Sequence, residues 1–332
     1  MSKKLFALLS LLVVASMLLA ACGPQATEAP VVEEPAVEEP VEAEAEEPAE
    51  EPAEEPAEEP AEEPAEMAPP DLDAAFDNVL ANMTAYNTIK ADGLLAEMVE
   101  DEPPFLLDVR TTGEVEENGH IEGAVNVPLA DVAKNLNLLP DFDTPIVAYC
   151  GSGWRATIAM TALNAMGWND VRALKTTFSD WKEAGNPVVA GPATEAMVLD
   201  VAAPEAGLVE AVDAMLAVYG VKPFGVITAD DLNVALVENS DLQVIDVRTL
   251  GEVEGKGYID APNWTHIALE DFVAMKDMWP AADDSVVIYC GSGHRSTMAL
   301  AILGTYGYGD VRSLKGGFGG WAGAGFPTVG GV

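Results

Sequence analysis

The chain has 332 residues, 49% of them hydrophobic, and a formal net charge of −40 at neutral pH. That length suggests two folded units with extra segments, at roughly 100–200 residues per domain. The charge argues against a nucleic-acid partner, because phosphate contacts need clustered Lys and Arg.

The N-terminus, MSKKLFALLSLLVVASMLLAAC, sets Lys3 and Lys4 before an apolar run and small residues before Cys22. This is the layout of a secretory signal, and it is short for a stable transmembrane helix. Leu19-Ala20-Ala21-Cys22 resembles the bacterial lipobox. The resemblance implies that residues 1–21 are removed and that Cys22 is lipidated. The protein is then expected at the extracytoplasmic face of a membrane, held there by its lipid alone.

Residues 22–70 are almost entirely Glu, Pro, Ala and Val, with EEPA repeated five times from Glu46 to Ala65. Proline removes backbone donors and glutamates repel one another, so the segment cannot bury enough apolar surface to order itself. It reads as a spacer. Setting aside its 18 Glu and the two leader Lys leaves 38 acids and 14 bases, a charge of −24. A small anion bound to this body must be captured by local donors against the global field.

The remainder is a tandem repeat, 71–192 and 193–332, aligned mostly at an offset of 138 residues and then 140 after a short insertion. Phe105-Leu-Leu-Asp-Val-Arg110 matches Gln243-Val-Ile-Asp-Val-Arg248, and Glu114 matches Glu252. Pro145-Ile-Val-Ala-Tyr-Cys150 matches Ser285-Val-Val-Ile-Tyr-Cys290, and Trp181 matches Trp321. In each copy the pattern predicts a helix first, over 72–86 and 208–219. Short apolar runs such as FLLDV and IVAYC then read as buried parallel strands. Each cysteine is followed by a glycine-rich turn and an apolar run of helical spacing that ends in glycine. The expected fold is α/β: two tandem domains, each a small parallel sheet with helices on both faces.

Besides Cys22 the chain has two cysteines, Cys150 and Cys290, at equivalent positions of the repeats. They could pair in one disulfide, but equivalent loops of adjacent domains need not approach bonding distance. Each closes a strand and opens a loop, Gly151-Ser152-Gly153-Trp154-Arg155 or Gly291-Ser292-Gly293-His294-Arg295. The glycines let successive N–H groups converge, and the following helix presents its positive end, worth typically 0.3–1 kcal/mol to an anion. With the arginine nearby, these groups suit a thiolate of lowered pKa. Trp154 stands where His294 does, which weakens the proposal that His294 acts as a base for Cys290.

These residues resemble tandem rhodanese-domain sulfurtransferases over roughly 86–192 and 223–332. The resemblance is carried by Asp-Val-Arg with its following Glu, by Gly119-His-Ile-Glu-Gly-Ala-Val-Asn-Val-Pro128, by Cys-x-x-Gly-x-Arg, and by Leu314-Lys-Gly-Gly-Phe318 with Trp321. It implies that the cysteine takes a sulfane sulfur as a persulfide held by loop amides and passes it to a thiophilic acceptor. No cofactor or metal is implied; the partners are a small sulfur-containing anion and a thiol or cyanide acceptor. It also implies that Asp108, Asp246, Glu114 and Glu252 fix the loop arginine or the strand ends that carry Arg110 and Arg248. Simple fold-setting ion pairs are the alternative. Both loops are Cys-x4-Arg, one residue shorter than the Cys-x5-Arg of related phosphatases, which favours sulfur over phosphoryl chemistry.

Three features depart from the family. Both copies keep their cysteine, Thr176-Thr177 replace Gly-Gly in the first, and Pro262-Asn-Trp-Thr265 breaks the Gly-Ala-Val-Asn pattern in the second. The intact Gly316-Gly317 ranks the Cys290 site above the Cys150 site. The expected function is an extracytoplasmic sulfurtransferase using thiosulfate, polysulfide or another persulfide. The alternative is a non-catalytic sulfur carrier or surface binder.

Overall fold

In the computed structural model, which describes residues 69–331, copy one opens with helix α1 (Leu72–Asn82). The leader, Cys22 and nearly all of the spacer lie outside the described residues. Asp71 caps α1 by accepting the Ala74 N–H at 2.9 Å, and the helix stops at the extended Met83, short of the predicted 86. There follow β1 (Thr88–Ile89), α2 (Ala91–Glu97), β2 (Phe105–Asp108), α3 (Thr112–Asn118) and β3 (Val125–Asn126). The copy ends with β4 (Ile146–Tyr149), α4 (Trp154–Ala165), β5 (Val171–Leu174) and α5 (Phe178–Glu183).

Copy two repeats the order with α6 (Ala206–Tyr219), β6 (Val226–Ile227), α7 (Ala229–Glu238), β7 (Gln243–Asp246) and α8 (Leu250–Lys256). It continues through β8 (Tyr258–Ile259), β9 (Asn263–His266), β10 (Val286–Tyr289), α9 (His294–Thr305), β11 (Val311–Leu314), α10 (Gly317–Gly323) and β12 (Thr328–Val329).

Each copy builds a five-stranded parallel sheet, in the orders β1-β5-β4-β2-β3 and β6-β11-β10-β7-β9. The central strands β4 and β10 are buried at every residue, which is why they read as unbroken apolar runs. The departure at Pro262–Thr265 lengthens pairing rather than disrupting it. Four residues of β9 pair with β7, whereas two of β3 pair with β2.

The helices after the loops, α4 and α9, are buried from their second residue to their last. A helix buried all round is a central one, and these two pack against each other. One apolar core therefore runs through both copies, joining Ile158 and Met160 to Leu216, Met298 and Ile302. The lead-in helices also cross between copies. Lys134 of copy one pairs with Asp213 of α6 at 3.5 Å, and Gly220 lies so near Ala130 that a Cβ would sit 2.8 Å from its Cα. Reciprocally, Asp73 of α1 bonds Lys276 and Tyr306 of copy two. The repeats divide near residue 192, but the packing does not.

Leu216 is fully buried in that shared core. Leu216→Ala should cost about 2–5 kcal/mol and should weaken hydrogen-exchange protection in both copies together. Loss of protection in copy two alone would show that the copies fold as separate units.

Candidate active sites

Cys150 and Cys290 follow β4 and β10 at the carboxyl ends of the two sheets, where open α/β folds bind ligands. Both thiols are free and buried, at 2% and 1% exposure. The glycine that begins each following helix is left-handed, Gly153 at φ +92° and Gly293 at φ +118°, a conformation that residues with a Cβ rarely adopt. That turn aims its N–H back at the sulfur: Gly153 donates to Cys150 Sγ and Gly293 to Cys290 Sγ, each at 3.1 Å. Each sulfur thus sits at the positive end of a buried helix of twelve residues.

The loop arginine is held by the glutamate that follows the Asp-Val-Arg motif. Arg155 makes two bonds to Glu114, 2.6 and 2.8 Å, and Arg295 makes two to Glu252, 2.6 and 2.7 Å. Each glutamate also accepts the backbone N–H of the threonine that caps its helix, Thr111 at 3.0 Å and Thr249 at 3.1 Å. The arginine bonds, aided by these caps, hold both carboxyls at about 2 against an ordinary 4.5. The arginine charge is therefore matched by its glutamate, and in both copies a backbone N–H is aimed at the sulfur.

The aspartates act at the strand ends. Asp108 forms a buried pair with Arg110, which donates to the Gly119 carbonyl at 2.7 Å and lies 3.8 Å from the Phe178 ring centre. Asp246 and Arg248 repeat this with Gly257 and Phe318, at 2.7 and 4.1 Å. Of the two roles implied for the acids, the glutamates take the first and the aspartates the second.

His294 does not face Cys290. Its Nδ1 lies 2.8 Å from Thr157 Oγ1 and its Nε2 2.8 Å from the Tyr86 carbonyl, both in copy one. A carbonyl only accepts, so Nε2 carries the proton. Burial lowers the pKa of the ring, with Lys175 and Arg295 adding to the effect. Trp154, its counterpart, lies against the opposite loop: a Cβ on Gly293 would stand 2.5 Å from the indole Cη2.

The sites also contain two residues that no motif announces. The Arg155 guanidinium lies 4.9 Å from the ring centre of Phe224 in copy two, and Arg295 lies 5.1 Å from that of Tyr86 in copy one. Tyr86 and Phe224 stand 138 residues apart, before the first strand of each copy, and both are left-handed, at φ +55° and +60°. Such strain in non-glycine residues is held by surrounding packing. The repeat of an aromatic at this offset is the one signal the sequence offers for them.

The two sites differ in their walls. Gly317 (φ +54°) approaches so closely that a Cβ would lie 2.3 Å from the Cys290 carbonyl, and Phe318 N–H bonds that carbonyl at 2.7 Å. In copy one Thr177 stands there, and Phe178 N–H reaches Gly151 instead, at 3.4 Å. The Thr-Thr substitution moves the wall by one residue of register. In copy two Ser296 Oγ also lies 3.6 Å from Cys290 Sγ and 2.8 Å from Ser313 Oγ. Ala156 and Ala173 replace both serines in copy one.

The rhodanese-like domain family matches residues 92–184 and 228–324, both loops included. The chain belongs to the rhodanese-like domain family. A sulfurtransferase of Allochromatium vinosum is 35% identical over 103 residues, 31% of this chain and 92% of its own. The thiosulfate sulfurtransferase GlpE of Shewanella oneidensis is 34% identical over 90 residues, 27% and 87% of the two chains. The crystal structure of a thiosulfate sulfurtransferase from Pseudomonas aeruginosa matches 74% of this chain and 44% of that one at 21% identity, with a TM-score of 0.29. Among the described residues of this rhodanese-like pair, no group of three or more His, Cys, Asp or Glu is placed to hold a metal ion.

Because the Glu252 carboxyl lies at about 2 in the folded chain and near 4.5 when free, its contribution to stability is full above pH 4.5. It declines as the pH falls toward 2, since the unfolded chain takes up the proton first. Glu252→Gln should lower the melting temperature at pH 7 and flatten its fall between pH 4.5 and 2. An unchanged acid slope would show that the Arg295 pair contributes nothing to stability.

Proposed function

We propose that the chain is a sulfurtransferase that carries sulfane sulfur as a persulfide on Cys150 and Cys290. One observation carries this reading: each buried thiol has a backbone N–H at 3.1 Å, at the start of a buried helix. Such donors are placed to hydrogen-bond a sulfur that carries negative charge, as in a persulfide. With thiosulfate as donor, the cysteine thiolate attacks the outer sulfur, the S–S bond breaks, and sulfite leaves with the electron pair. Attack by cyanide on the outer persulfide sulfur then releases thiocyanate and restores the thiolate. Neither step needs a further redox partner, since each bond that breaks is replaced by one formed with the nucleophile's electron pair. The names of the curated relatives support thiosulfate as the first donor to try.

The burial of both sulfurs favours a second reading, a carrier that holds sulfur and releases it slowly. Intact-mass analysis separates the two: a carrier retains the mass of one sulfur atom per loaded cysteine after cyanide is added, whereas an enzyme is discharged at once.

The closer wall and Ser296 favour the second site with small donors. Cys290→Ser should therefore lose more thiocyanate production from thiosulfate than Cys150→Ser, by about tenfold or more, the equivalent of one 1.36 kcal/mol step in barrier. Equal losses would remove the ranking, and no turnover with thiosulfate or polysulfide in the wild type would remove the catalytic reading.

We place the protein on the extracytoplasmic face of a membrane through lipid on Cys22, on the strength of the leader and lipobox pattern. No helix among the described residues is long and apolar enough to cross a membrane. Cys22→Ser should move the chain from the membrane fraction to the soluble one. Retention in the membrane fraction would argue for another anchor.

A further inference from the structure

The two loops face one another across the α4–α9 contact, and one cleft of about 290 Å³ touches both. Its lining includes Ser152 and Gly153 from the first loop and Ser292 and His294 from the second. The rim carries one cation, Lys175, and one anion, Asp180, with the hydroxyls of Thr176 and Thr177 beside them. The volume is at the small end for ligand sites.

The residues that border this space differ between the copies, above all at Trp154 and His294. Where the indole of Trp154 is pressed against Gly293, a Cβ on Gly153 would meet nothing within 4 Å, although His294 is the reciprocal residue. The smaller imidazole is tied to Thr157 and Tyr86 and leaves the Gly153 side free. The wall residues also differ: Gly317 closes on the Cys290 carbonyl, which accepts the Phe318 N–H, while in copy one the Phe178 N–H reaches Gly151 rather than Cys150.

We propose that the Cys150 site takes a small zwitterionic organic persulfide of the amino-acid type through this cleft, while Trp154 restricts the Cys290 site to small inorganic sulfur anions. Lys175 meets the carboxylate and Asp180 the ammonium group. The sulfur step is balanced without a further reagent. The Cys150 thiolate attacks the outer sulfur of R–S–SH, a new S–S bond forms, and the old one breaks. The organic thiolate R–S⁻ leaves, so the inner sulfur is reduced as Sγ is oxidised. This division of labour rests on the sulfurtransferase reading and adds the substrate class of each site.

The test is site-resolved loading of the wild-type chain, read as sulfur gained on the Cys150 and Cys290 peptides by mass spectrometry. The donors are cysteine persulfide, its methyl ester and thiosulfate. Cysteine persulfide should load Cys150 about tenfold or more faster than Cys290, a discrimination of one decade. Thiosulfate should favour Cys290 instead, and the ester, lacking the carboxylate, should lose much of the preference for Cys150. Trp154→His should raise the loading of Cys290 by cysteine persulfide, and Lys175→Ala should erase the advantage of the acid over the ester. Equal loading of both cysteines by cysteine persulfide, with thiosulfate still active, overturns this proposal alone. No loading from any donor overturns the sulfurtransferase reading with it. The wild-type comparison needs no variant, so it decides the proposal even where Trp154→His fails to fold.

Discussion

Two helices, each buried on every side, lie against one another at the centre of the molecule. Because each begins at a cysteine loop, their contact sets the distance and orientation of both sites at once. It also explains why one core spans both copies and why the lead-in helices pack across the division between repeats. Small domains bury only part of their apolar surface alone; here each copy supplies the cover that the other lacks. The loops inherit rigidity from this arrangement, since neither can shift without moving a helix packed on all sides.

Within each copy the same logic runs through charge. The buried Asp108–Arg110 and Asp246–Arg248 pairs join a strand end to a helix cap and to the aromatic wall. Breaking one side of such a pair leaves an uncompensated buried charge, which is far costlier than the pair itself. The glutamate–arginine pairs do the corresponding work for the loop. In both copies a glycine N–H donates to the sulfur, joined in the second by the Ser296 hydroxyl. The charged residues shape the loop, and the backbone addresses the ligand.

Much of this was legible in the residues. Alternating apolar runs and glycine-ended helices foretell the parallel sheets, and the spacing from cysteine to arginine locates both loops. The resemblance implied that the aspartates and glutamates hold the loop arginine or the strand ends, and the structure shows that the glutamates hold the arginines. Three things were not legible. Tyr86 and Phe224 act on the copy to which they do not belong, and no local pattern records a contact 209 or 69 residues away in either direction along the chain. The partners of His294 lie in the other copy for the same reason. The full burial of α4 and α9 reads only as strong apolarity, which an amphipathic helix against one sheet would also show.

The reciprocal contacts between copies are those of an isologous interface, in which residue i meets j and j meets i. In a dimer of identical chains, the position occupied by Trp154 would be the same on both sides. Two indoles would press on two glycines, or two imidazoles would leave two identical spaces. Joining the copies in one chain removes that constraint, so Trp154 and His294 can differ while the rest of the interface stays matched. Covalent fusion thus gives this molecule a freedom that a symmetric assembly of equal subunits lacks: two neighbouring pockets of different shape built on one repeated frame.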